Sequence, residues 1–75
     1  MDHVIEMIVC VDNDAFGVTY EDQATEVSRI LRDAAAAIEA KPHRYLDPHS
    51  GFQLCLNDAN GNRVGSIKAT ILEIS

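Results

Sequence analysis

The sequence predicts an α+β fold: a single small α/β domain over residues 1–75, β-α-β-β in order, with a three-stranded sheet (order 2-3-1) and one amphipathic helix on one face. Three observations carry this. A β-branched run opens the chain from His3 to Val11. Apolar residues then recur at spacings of three and four from Ala24 to Ile38. Finally, the alternating run Phe52 to Leu56 and the β-rich run Val64 to Ile74 flank Asn60-Gly61, a preferred hairpin turn pair.

Taken in order, the first strand carries Ile5, Met7, Val9 and Val11 on one face and Val4, Glu6, Ile8 and Cys10 on the other. Neither face is cleanly polar, so the strand is expected to be central or covered on both sides. Asp12-Asn13-Asp14 ends it with turn chemistry. Thr19 and Asp22 have the spacing of a capping box, with an acid standing in for the usual Glu or Gln. In the helix that follows, Ala24, Val27, Ile30, Leu31, Ala34, Ala37 and Ile38 form the apolar side, with Asp22, Glu26, Arg29 and Asp33 opposite. Ala34 to Ala37 raise helix propensity and allow close packing, and Pro42 stops the helix.

Pro42 to Ser50, with two prolines and no apolar period, reads as a loop back to the sheet. A type I′ turn at Asn60-Gly61 would set Leu56 opposite Gly65, Leu54 opposite Ile67, Phe52 opposite Ala69 and Asp58 opposite Arg63. The helix returns the chain to the same end, so the first two strands run in the same direction and the third opposes both. The face under the helix would hold Ile5, Met7, Val9, Phe52, Leu54, Ile67, Ala69 and Ile71.

A chain of 75 residues has room for one core, since at this size only about 60 % of the unfolded surface is buried. Stability at this size is thin, and oligomerisation or a partner is expected. The composition, 47 % hydrophobic and 24 % charged, is globular, and no run approaches the roughly 20 apolar residues of a membrane span, so no membrane partner is expected. Met1-Asp2-His3 lacks the basic start of a secretory signal, so export is not expected and a cytoplasmic location is, with Cys10 and Cys55 expected to be reduced and packed. The net charge of -6 is unevenly placed: Asp2, Glu6, Asp12, Asp14, Glu21, Asp22 and Glu26 all precede the first basic residue, Arg29. Such a field repels nucleic acid and anionic membranes and attracts basic surfaces. It also serves solubility and the start of a helix.

Chemical motifs are few. Asp12 to Gly17 begins like a calcium loop, but Phe16 takes a ligand position and Gln23 stands where a bidentate Glu belongs. Asp58-Ala-Asn60-Gly-Asn62 offers alternate oxygens, yet its glycine suits a turn. Cys10, Cys55, His43 and His49 lack the local spacing of a zinc site, so no metal and no cofactor is expected. His43, Arg44, Tyr45 and His49 could meet a phosphate or protein from their loop. No nucleophile elbow or phosphate loop is present, and the six basic residues are dispersed, so neither an enzyme nor direct nucleic-acid binding is expected.

The acidic strand and turn, the helix type Glu26-Val-Ser-Arg-Ile-Leu-Arg-Asp33 and the hairpin type Leu56-Asn-Asp-Ala-Asn-Gly-Asn-Arg-Val-Gly65 resemble small uncharacterised proteins of phages, prophages and plasmids over most of the chain. Such proteins include anti-CRISPR inhibitors, many of them small, acidic and non-enzymatic. The resemblance implies a mobile-element inhibitor or regulator in the host cell cytoplasm, binding a protein partner such as a CRISPR effector complex in stoichiometric fashion. Asp12, Asp14, Glu21, Asp22 and Glu26 would act as a nucleic-acid mimic against its Lys and Arg residues. The alternative is a homo-oligomeric structural or regulatory module, in which the sheet face around Val4, Ile8 and Cys10, or the edge of the first strand, pairs with a second copy as a homodimer.

Overall fold

Residues 2–72 are described by the structure, a computed structural model. Strand β1 runs from Asp2 to Val9, helix α1 from Tyr20 to Ala40, a short helix α2 from Pro42 to Leu46, β2 from Leu54 to Asn57 and β3 from Arg63 to Leu72. A 3-10 turn, Asp14–Phe16, lies between β1 and α1. The strands form one sheet in the order β1-β3-β2 with both pairings antiparallel, the expected arrangement. Both β1 and β2 are therefore edges. Glu73 and Ile74, expected in the third strand, lie outside the described residues.

Helix α1 begins where the capping pattern places it, because Thr19 Oγ1 accepts the Asp22 backbone N–H at 3.1 Å. It ends at Lys41, whose N–H reaches the carbonyls of Ala37 and Ile38, both at 3.2 Å. Pro42 then starts a second helix instead of a loop, since its fixed φ and missing N–H suit a first helical position. Helix α2 is tied back to the sheet by His3, whose Nε2 donates to the Leu46 carbonyl at 2.7 Å.

The hairpin register agrees with the sequence reading at Leu54 opposite Ile67 and Leu56 opposite Gly65, then departs from it. Asn57, not Asp58, faces Arg63, so Val64 and Gly65 together oppose Leu56 in a β-bulge. The turn is not type I′ either. Gly61 alone has positive φ, at 85°, its N–H bonds the Asp58 carbonyl at 3.0 Å, and the Asp58 N–H bonds the Asn62 carbonyl at 2.9 Å. This is the three-residue loop with a glycine bulge. Strand β2 starts two residues later than expected, leaving Phe52 exposed beneath the Arg44 guanidinium, 4.5 Å from the ring centroid.

The core consists of Phe16, Ile30, Ala34, Leu56, Val64 and Ile67, with Val9, Val11, Val27, Ile38 and Leu54 packed around it. Phe16 is fully buried, and the bulge brings Val64 inward. Ile5 and Met7, expected under the helix, are each 48 % exposed. Strand β1 thus flanks the core without cover along its free edge. Gly65 lies where a Cβ would fall on the Ile8 carbonyl and the Val9 backbone, so only glycine permits this approach of β3 to β1.

Candidate functional site

The acidic segment is shaped by three short-range devices. Asn13 Oδ1 accepts the Ala15 N–H at 2.9 Å and starts the 3-10 turn; Phe16 plugs the core; Thr19 caps α1. Gly17 joins them with φ at 71°, and a Cβ there would sit 2.5 Å from Asp22 Cβ. The turn is thereby folded directly against the first turn of α1. Asp14, Asp22 and Glu26 meet around one shallow depression beside Thr25 and Ala59.

Asp12, Asp14, Glu21 and Asp22 are exposed and, among the described residues, none of the four forms an ion pair. Glu21 and Asp22 lie in the first turn of α1, where the helix dipole favours negative charge. Glu26 differs from its expected place on the solvent side. It is 7 % exposed, with Oε1 accepting from Arg29 Nε at 2.7 Å and Oε2 from the Ala59 N–H at 2.8 Å. Its carboxylate is committed to joining α1 to the hairpin turn. Arg29 continues to Asp33 at 2.8 Å and to the Asn57 carbonyl at 3.1 Å, so the first base of the sequence is also engaged internally.

Asp58, which sequence reasoning placed in a strand pair, is the centre of the polar network. It is 4 % exposed; Oδ1 accepts the N–H groups of Asn60 at 2.9 Å and Asn62 at 2.8 Å, and Oδ2 accepts the side-chain amides of Asn13 at 2.7 Å and Asn62 at 3.3 Å. Asn13 thus shapes the acidic turn with its oxygen and ties it to the hairpin with its nitrogen. Among the described residues no buried side-chain polar atom lacks a partner. Burial pushes the Asp58 carboxyl up, but the Asn62 N–H, the Asn13 and Asn62 amides and the Asn60 N–H outweigh it and hold it below the ordinary value. The Glu26 carboxyl is lowered chiefly by its hydrogen bond from Arg29, against burial, with the Ala59 N–H assisting; the same bond raises Arg29.

The other sequence candidates separate in space or find structural work. Val4 is half-buried on the helix-free face, where Ile8 is 67 % exposed and Cys10 exposed. Cys10 and Cys55 are free thiols, and both are exposed where packing was expected, because each lies on the sheet face that no helix covers. Among the described residues no three His, Cys, Asp or Glu side chains are grouped to hold a metal ion. In the His43-Arg44-Tyr45 segment, Arg44 covers Phe52 and its carbonyl accepts the Ser50 hydroxyl at 2.6 Å. No helix among the described residues is long and apolar enough to cross a membrane.

These features define a small α+β domain with a three-stranded antiparallel sheet and one main helix. No family model matches the sequence, and searches of curated proteins and of solved structures likewise return no match.

Proposed function

We propose that the protein is a non-enzymatic inhibitor or regulator of mobile-element type that acts by stoichiometric binding, placing its acidic end in a site that otherwise holds nucleic-acid phosphates. The observation that supports this reading is the exposure of Asp12, Asp14, Glu21 and Asp22 on a turn and helix start fixed by Phe16, while Arg29 is consumed by Glu26, Asp33 and Asn57. Asp14 and Asp22 line one depression, Asp12 and Glu21 stand exposed close by in sequence, and among the described residues none of the four forms an ion pair. Pre-organised charge of one sign gains from a basic surface without the cost of ordering a loop. A host defence complex such as a CRISPR effector is the target class that the resemblance to phage and plasmid proteins suggests. Glu26 takes no direct part and supports the surface from below.

The test is interference by a host CRISPR system against a sensitive phage, with the protein or its Asp12→Lys/Asp14→Lys/Asp22→Lys variant expressed in the same cells. The proposal expects restored plaques with the natural protein and none with the charge-reversed one, at equal amounts of folded protein. Unchanged interference in both overturns the CRISPR target, and equal restoration by both overturns the acidic mechanism.

A further inference from the structure

The two edges of the sheet are not equivalent. Along β2 the Arg29 guanidinium bridges from α1 to the Asn57 carbonyl at 3.1 Å, whereas β1 offers eight residues in unbroken register, with neither proline, lysine nor a bulge to blunt them. Because Cys10 N–H donates to the Val64 carbonyl at 2.7 Å, the even-numbered residues of β1 bond β3, and His3, Ile5, Met7 and Val9 turn their N–H and C=O groups outward. Ile5 and Met7 are half exposed on the helix side of this edge, and Ile8 more so on the other. Arg29 marks the flank of α1 toward β2. Leu31, two positions on and about 200° around the helix, lies on the opposite flank of α1 and is also exposed.

We propose that β1 pairs antiparallel with β1 of a second copy, about a two-fold axis through Ile5, giving one continuous six-stranded sheet with both long helices on the same side. Charge selects the register. A two-fold normal to the sheet keeps even residues opposite even and odd opposite odd, so the axis passes through a residue position. Centring on Val4 sets Asp2 against Glu6, centring on Glu6 sets Glu6 against itself, and centring on Met7 brings Asp2 level with Asp12. Of the centres from Val4 to Met7, which pair the most of the strand, Ile5 is the one that sets no acid opposite an acid: Asp2 meets Ile8, His3 meets Met7 and Val4 meets Glu6. It also sends the Asp12 and Asp14 turns of the two copies to opposite ends, which keeps apart two chains that each carry a charge of -6. This pairing is independent of the acidic-end reading and leaves that end open.

Sedimentation equilibrium from about 1 to 100 μM tests it, spanning ordinary affinities of weak dimers. The natural protein is expected at twice its 8.2 kDa mass, and Met7→Lys and Ile5→Lys to weaken association by more than about tenfold while circular dichroism shows the fold retained. In a Cys10→Ser/Cys55→Ser background, Ile5→Cys is expected to form an intermolecular disulfide on mild oxidation and Glu6→Cys not to, since only the former brings its Cα within about 5.5 Å of its counterpart. A monomer throughout, or a dimer indifferent to both lysines, overturns the pairing. Cross-linking at Glu6→Cys in preference to Ile5→Cys overturns the register.

Discussion

Replacing Phe16 by alanine removes the one large side chain with no solvent exposure among the described residues, and the consequence follows from its surroundings. An aromatic ring buries at least about 150 Å², worth about 4 kcal/mol at about 25 cal/mol per Å². Measured losses for Phe→Ala in cores are about 3–5 kcal/mol once the remaining cavity is included. A domain of 75 residues has a total stability of about 4–11 kcal/mol, so the substitution removes a large part of it. With a urea m-value of about 1 kcal/mol per M, the low end for small proteins, the unfolding midpoint falls by about 3 M. The assay is urea denaturation followed by circular dichroism, with Val18→Ala as the control: Val18 is 95 % exposed and its loss is expected to change stability by less than about 0.5 kcal/mol. Phe16→Leu, which refills most of the space, is expected to cost about 1 kcal/mol. A midpoint drop below about 1 M in Phe16→Ala would refute the reasoning, because the turn bearing Asp12 and Asp14 would then be held by something other than its aromatic anchor.

Other substitutions address the remaining joints of the fold. Gly65→Ala forces a methyl onto the β1 backbone and is expected to cost about 1–3 kcal/mol, with amide exchange accelerating first in β1. Thr19→Ala removes the acceptor for the Asp22 N–H and is expected to lower stability by about 1 kcal/mol, read as a reduced melting temperature. Glu26 and Asp58 have folded-state pKa values below their unfolded ones, so each contributes stability that is present above about pH 4 and lost as pH falls through the lower, folded value. Urea midpoints measured between about pH 7 and pH 2 are expected to fall below about pH 4, and less steeply in Asp58→Asn, which keeps an oxygen for the Asn60 and Asn62 N–H groups but cannot titrate.

The elements with a repeating signal were legible in the sequence. Helix α1 declared itself by period, by Thr19 and by Pro42, and the strand order followed from a helix between two strands and a tight hairpin. The core was less legible. Phe16 is a single aromatic among Asp and Asn residues, and a lone residue in a turn has no period to say which way it faces. Val64 reaches the core through a bulge, which strict alternation does not anticipate. Asn57, Asp58, Asn60 and Asn62 formed an obvious turn cluster, but its geometry depends on Asp58 gathering two backbone N–H groups and on Asn13, 45 positions earlier, completing its shell. That pairing of two turns is tertiary. So is the fate of Glu26: the helical pattern placed it beside Arg29 on a polar side, and only the hairpin packed against that side buries it.

The role of the acidic end is tested most directly by the salt dependence of binding. The measurement is the affinity of the purified protein for a host CRISPR effector, across a salt series, for the natural chain and for a variant with Asp12→Asn, Asp14→Asn, Glu21→Gln and Asp22→Asn. The account predicts competition with guide or target nucleic acid, affinity that falls as salt rises, and a variant that binds more weakly with a shallower salt slope. Equal affinity and equal slope for the two proteins, or binding that leaves nucleic acid in place, would contradict it.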